Sequence, residues 1–145
     1  MVWHCDYPAD ADEWVQEWRN NLNESEAYAD AGEGWGVGFN GDFLFEIRPD
    51  DTYDGDSFYL FLELENGEAG EARLIDDPDS EDWGFAFRGD YSDWKSLYSG
   101  EINAVQGLME GRFDLDGDQQ KVMQYSSAAV IMTESASDID TEFEY

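Results

Sequence analysis

The sequence predicts an α+β fold, with helices lying against one face of a largely antiparallel sheet. Three observations carry this expectation: a helical apolar stripe near the start, a middle section of short alternating segments with Asn-Gly turns, and a return to helical spacing in the last third.

Residues 9–30 read as an N-terminal amphipathic helix. Trp14, Val15, Trp18 and Leu22 fall on one stripe, Asp10 or Asp12 can cap its start, and Gly32 and Gly34 end it. Residues 35–39, the turn Asn40-Gly41 and residues 43–48 then read as a hairpin. After a polar loop, residues 57–64, Glu65-Asn66-Gly67 and residues 70–75 repeat the pattern. An acidic loop, 76–82, leads to a strand over 83–88 with Trp83, Phe85 and Phe87 on one face. Two short helices follow, 92–98 and 103–109, separated by Ser99-Gly100. A short strand, 112–115, precedes a long C-terminal helix over 118–134. In that helix Val122, Tyr125, Ala129 and Met132 form one stripe, with Met123 and Val130 beside it. A helix with so wide an apolar arc is either deeply buried or walls a cavity.

At 145 residues the chain reads as a single domain, with a core of about 9–134 and an acidic tail, 135–145. Aromatic residues make up 16%, too much core material for a disordered acidic segment. Against 36 Asp and Glu stand seven Lys and Arg, a formal net charge of −29. Such a surface repels a phosphate backbone, which excludes nucleic acid as a partner, and it disfavours anionic membranes. No apolar run reaches a membrane span, and Met1-Val2-Trp3-His4-Cys5-Asp6 carries no secretory signal. With Cys5 the only cysteine, a cytoplasmic protein is expected.

The acids read as spread over every segment, whereas a cation-binding site would gather them. Spread over a sphere of about 25 Å radius, the charge repels itself by roughly 17 kcal/mol at 0.15 M salt and about 7 kcal/mol at 1 M. That difference rivals the stability of a whole domain, about 5–15 kcal/mol. The acidity therefore reads as the surface of a halophile's protein, screened by solvent cations.

Several motifs fail on context. Gly36-Val37-Gly38-Phe39-Asn40-Gly41 satisfies G-x-G-x-x-G but continues into a strand, not a helix. The loop at Asp50 and Asp54 lacks the closing Glu of a calcium hand. His4 and Cys5 cannot make up a metal ligand set, and His4, so near a terminus, is a poor place to fix catalytic geometry. With no catalytic constellation visible, a non-enzymatic protein without cofactor or metal is expected.

One segment is more informative. Leu97-Tyr98-Ser99-Gly100 stops a helix, Gly111 ends another, Arg112-Phe113-Asp114-Leu115 alternates, and Gly117-Asp118 turns into the last helix. This order resembles the sterol carrier protein 2 sterol-transfer family, whose C-terminal part runs strand, short helix, Ser-Gly, short helix, Met-x-Gly-basic-apolar-x-apolar-x-Gly-Asp, long helix. Here Met109 to Asp118 match that run, with Arg112 at the basic position. The resemblance implies a five-stranded, largely antiparallel sheet covered on one face by helices. It also implies a hydrophobic tunnel between the two layers for a lipid, a fatty-acyl chain or an isoprenoid-like molecule. The residues expected to line it are Leu97, Ile102, Val105, Leu108, Met109 and Phe113, with Val122, Met123, Tyr125, Ala129 and Met132 on the last helix; Tyr125 or Gln124 is the expected head-group contact. The competing expectation is a protein-interaction module using the same groove or a tryptophan-rich patch around Trp14, Trp18 or Trp94.

Overall fold

In the computed structural model, which describes residues 4–145, the chain runs β1 (His4–Tyr7), α1 (Ala11–Glu24), α2 (Glu26–Ala31), β2 (Phe43–Arg48), β3 (Phe58–Glu65), β4 (Glu68–Ile75) and β5 (Phe85–Asp90). It continues through α3 (Tyr91–Tyr98), α4 (Ala104–Met109), β6 (Phe113–Asp116), α5 (Gln119–Gln124), α6 (Ser126–Ser137) and β7 (Asp140–Phe143). The N-terminal reading at Met1-Val2-Trp3 and the side chain of His4 lie outside the described residues. Five strands form one sheet in the order β4-β3-β2-β5-β6. All its pairings are antiparallel except β2 with β5, which are parallel. The α+β class and the five-stranded, mostly antiparallel sheet are as expected.

Side-chain alternation gives the sheet two unlike faces. Phe43, Phe45, Ile47, Leu60, Leu62, Phe85, Phe87 and Phe113 belong to the main core with the helices. Leu44, Phe61, Ile75 and Ala86 form a smaller cluster on the other side. Trp83 packs on that second cluster, not beside Phe85 and Phe87 as expected, because β5 begins only at Phe85. Its indole donates to Pro78 O at 2.8 Å and its ring lies under Arg88, so the acidic loop is pinned to the outer face.

Local chemistry explains the other departures. The N-terminal helix is two helices, since Ser25 adopts extended geometry and accepts the Tyr28 N–H at 3.1 Å, capping α2. The stripe of α1 itself is buried as expected: Trp14, Val15, Trp18 and Leu22. Residues 35–39 are turns and not a strand. Gly34, Gly36 and Gly38 take φ of +94°, +80° and +84°, and alternate left-handed residues cannot extend. The second expected hairpin forms: Asn66 and Gly67, both at positive φ, join β3 to β4 as an Asn-Gly turn should.

The last helix breaks at Tyr125 into α5 and α6. Asp118 caps α5, accepting from the amides of Gln120 and Lys121 at 3.0 and 3.4 Å. The acidic tail is structural: β7 pairs parallel with β1, Cys5 opposite Thr141 and Tyr7 opposite Phe143. Thr141 Oγ1 accepts the Trp14 indole N–H at 2.9 Å, and Lys95 Nζ donates to Tyr145 O while lying over the Phe143 ring. No described helix is long and apolar enough to cross a membrane.

Candidate functional site

The inner face of the sheet offers an aromatic floor. Phe43 stacks on Phe45 and on Phe85, with ring centroids 5.5 and 5.4 Å apart. Above it lie Val122 of α5 and Ala129, Met132 and Thr133 of α6. Trp18, Trp94 and Leu97 close one side. The layers do not meet completely, leaving an apolar cavity of about 50 Å³. A second, of about 40 Å³, continues toward Tyr28, Trp35, Leu64 and Tyr125. Phe43, Val122, Ala129 and Met132 border both, so the two are parts of one seam beneath α5 and α6.

The seam offers few free hydrogen-bonding groups. The indoles of Trp18, Trp35 and Trp94 donate to Met132 O, Gly41 O and Glu46 O at 3.0, 2.9 and 2.9 Å. The Thr133 hydroxyl donates to Ala129 O and accepts the Ala104 N–H. Among the described residues, only the phenols of Tyr28 and Tyr125 line the seam without a hydrogen bond, and burial pushes the Tyr28 phenol well above its ordinary range. Every other polar atom there is committed, so the space suits a hydrocarbon. It is also narrow: sites for drug-sized ligands hold roughly 300–1,000 Å³. The roof must lift to admit one.

That roof is thin. No residue of α5 is buried, and Val130, Ile131 and Met132 of α6 are only half-buried. The helices part at Tyr125, whose φ of −106° and ψ of 31° leave the helical region.

Of the residues the sequence singles out, Leu97, Val122, Tyr125, Ala129 and Met132 border the seam. Ile102, Leu108 and Phe113 pack in the core instead. The Phe113 ring stacks on Phe87 at 4.8 Å and is slotted between Gly89 and Gly107, both too close to carry a Cβ without a shift. Val105 and Met109 face an open groove outside α4 and α6, Met109 being 76% exposed. Met123, 39% exposed, lies on the outer side of α5 with Gln119, Gln120 and Gln124, so neither Met123 nor Gln124 borders the seam. Sequence reasoning missed the floor, Phe43, Phe45 and Phe87, although the alternation of Phe43 with Phe45 and Phe85 with Phe87 was visible. The tryptophan patch does not exist as a surface: Trp14, Trp18 and Trp94 are 0%, 2% and 1% exposed.

Other candidates have structural duties. Arg112 Nε meets Asp93 at 2.8 Å, tying the start of β6 to α3. Asp50 accepts the amides of Thr52, Tyr53 and Ser92, and these bonds hold its carboxyl below the usual range against the opposing effect of burial. Among the described residues, no group of three or more His, Cys, Asp or Glu is placed to hold a metal ion.

The architecture has known counterparts. The model of the SCP-2 sterol transfer family matches residues 37–130. The chain belongs to that family. Its fold is similar to a crystal structure of sterol carrier protein 2, with 25% identity and a TM-score of 0.77 over 88% of this chain and 96% of that one. It is equally similar to the solution structure of a conserved hypothetical protein, possibly sterol carrier protein, from Thermus thermophilus, with 24% identity and a TM-score of 0.77 over 90% and 88% of the two chains. The apo sterol carrier protein 2 from Yarrowia lipolytica is more distant, at 16% identity and a TM-score of 0.54 over 85% and 88%. No curated protein sequence matches the chain significantly. The SCP-2 match includes Val122, Tyr125 and Ala129 of the roof; Trp18 and Met132 lie beyond its ends.

Proposed function

We propose that this SCP-2 family protein binds and carries a lipid or other hydrophobic molecule, fatty-acyl or isoprenoid-like, in the seam between its sheet and α5–α6. The observation that carries this is the combination of two adjoining apolar cavities with a roof whose helices part at Tyr125, α5 having no buried residue. Ligand entry widens the seam by lifting the roof, with Val122, Ala129 and Met132 following the ligand and the sheet staying fixed. The thioether of Met132 adapts to chains of different shape. Carriage makes and breaks no covalent bond, and the protein acts here without catalysis or a cofactor.

The setting we infer is a salt-rich cytoplasm. The formal charge of −29 needs counter-ions close to the surface, and molar salt removes most of the self-repulsion.

The test is mass spectrometry of organic extracts from protein purified from its native host in molar salt. A lipid in near-stoichiometric amount is expected. Protein that carries none, and takes up none when offered long-chain fatty acid or alcohol, would overturn the proposal.

A further inference from the structure

The longest acid-free stretch of the chain lies in its last third. About one residue in four is Asp or Glu, yet residues 119–133 contain neither. These are α5, Tyr125 and most of α6, the roof of the seam. A stretch of that length at the average composition would carry about four acids.

Within this gap stands Lys121. Arg48, Arg73, Arg88 and Arg112 are all in ion pairs. Lys121 makes none among the described residues, nor does Arg19, which is bonded to the Asn20 side chain, in a chain where acids outnumber cations about fivefold. The Lys121 ammonium lies 4.3 Å from the centroid of Phe39. Phe39 meets Trp35 edge-on at 5.2 Å, and Trp35 meets Tyr125 edge-on at 5.3 Å. Tyr125 follows Lys121 by four residues, on the same side of the helix. Its hydroxyl lies against Gly34, where φ is +94° and a Cβ would stand 2.7 Å from it. Trp35 and Tyr125 border the seam directly, and Phe39 and Lys121 continue this row of contacts outward from it.

We infer that Lys121 and Tyr125 form a head-group subsite that selects an amphiphile with an anionic head over its neutral analogue. The inference rests on the seam being the lipid site. Both groups can donate, one is charged, and neither is committed to a carboxylate of the protein; an oxyanion at the end of an alkyl chain is the complementary partner. The nearest acid in the sequence, Asp118, is turned to the amides of Gln120 and Lys121. The gap has the same logic. In dilute salt a carboxylate placed about 7 Å from the head would weaken binding of an anion roughly threefold at the dielectric of water. In molar salt the Debye length shrinks to about 3 Å, so the distant acids are screened while the contact with Lys121 persists.

The experiment is calorimetric titration of the intact chain with decanoate and with decan-1-ol, in about 1 M salt, for wild type, Lys121→Met and Lys121→Arg. Lys121 sits on a surface helix, and the arginine variant keeps the charge. Decanoate is expected to bind roughly tenfold more tightly than the alcohol in wild type and Lys121→Arg. In Lys121→Met that preference is expected to fall to near parity, through loss of affinity for decanoate. Equal affinity for both ligands in wild type, or a preference that survives Lys121→Met, would overturn the subsite and leave the seam intact. Failure of both ligands to bind any form would overturn the seam and the subsite with it.

Discussion

Replacing Met132 with Glu puts a carboxyl where the two cavities join. The nearby indoles of Trp18, Trp35 and Trp94 and the Thr133 hydroxyl are already bonded to backbone oxygens, so nothing along the middle of the seam can receive the charge. Full burial raises a carboxyl by about 3–5 pKa units. Met132 is half-buried, and a rise of about two units is the corresponding expectation, from the ordinary 4.3 to roughly 6.3. Two units amount to about 2.7 kcal/mol at neutral pH. Losing part of the methionine's apolar burial adds about 1 kcal/mol. The total, near 4 kcal/mol, is a large share of the 5–15 kcal/mol available to a domain.

The sign follows from proton linkage. The folded variant holds its proton more tightly than the unfolded chain, so stability falls as pH rises from about 4.3 through 6.3 and returns as pH is lowered. Uptake of a neutral ligand should follow the same course: absent at pH 7.5, partly restored near pH 5. Decan-1-ol is the right ligand because it does not titrate. The control is Met123→Glu, one residue past Val122 but on the outer side of α5 beside Gln120 and Gln124. It should change stability by no more than about 0.5 kcal/mol and leave uptake as in wild type. Urea melts and calorimetry on both variants decide the matter. Uptake by Met132→Glu equal to wild type at pH 7.5 would refute the seam as the binding site. Loss of uptake in Met123→Glu alone would move the site to the outer groove.

Three further outcomes are expected. Gly107→Ala should destabilise by about 1 kcal/mol in urea melts, because a Cβ 2.5 Å from the Phe113 ring overpacks the slot by more than the gain of about 1 kcal/mol in helix propensity; a more stable variant would refute the slot. The Cys5 thiol, pushed up to about 11 from 9.0 by burial and then by Asp10, Glu17, Glu13 and Asp6, holds its proton more tightly in the native state, so that contribution to stability declines as pH rises from 9 toward 11. Its alkylation at pH 8 should be at least about a hundredfold slower in the folded protein than in urea, and equal rates would mean that β1 and β7 open freely. Finally, circular dichroism should report loss of structure as salt drops below about 0.5 M, and a flat response would remove the case for a high-salt setting.

The elements that were legible are those whose chemistry is local. Asn66-Gly67 makes a turn because both residues accept positive φ, and Trp14, Val15, Trp18 and Leu22 mark one helix face whatever surrounds them. The helix breaks were hidden because apolar spacing continues across Ser25 and across Tyr125, while capping depends on backbone geometry that composition does not reveal. β7 was hidden for another reason. Ile139, Thr141 and Phe143 alternate as a strand should, but Asp138, Asp140, Glu142 and Glu144 between them read as a solvated tail. Those acids occupy the exposed positions of a strand whose other face meets Trp14, Tyr7 and Tyr98.

The roof of the seam was legible for the reason its floor was not. Val122, Ala129 and Met132 stand out because an apolar arc that wide is unusual on a helix following so acidic a sequence. A strand with Phe43 and Phe45 on one face looks the same whether it meets a packed helix or a gap. Phe113, expected at the wall, is instead held in the core by Gly89 and Gly107, a pairing across 18 residues that only the tertiary structure discloses. Reading the acids as evenly spread also concealed their most useful feature. An acidic surface describes the solvent as long as it is uniform; where it stops, something other than solvent sets the composition. Here it stops over the helices that cover the seam, and it resumes at Glu134 once Met132 and Thr133 have made their contacts. Packing alone does not require this gap, because Met123, Gln124 and Ser127 are exposed and an acid at any of them would face water. The outward positions of the roof carry no negative charge, in keeping with the head-group subsite inferred at Lys121 and Tyr125.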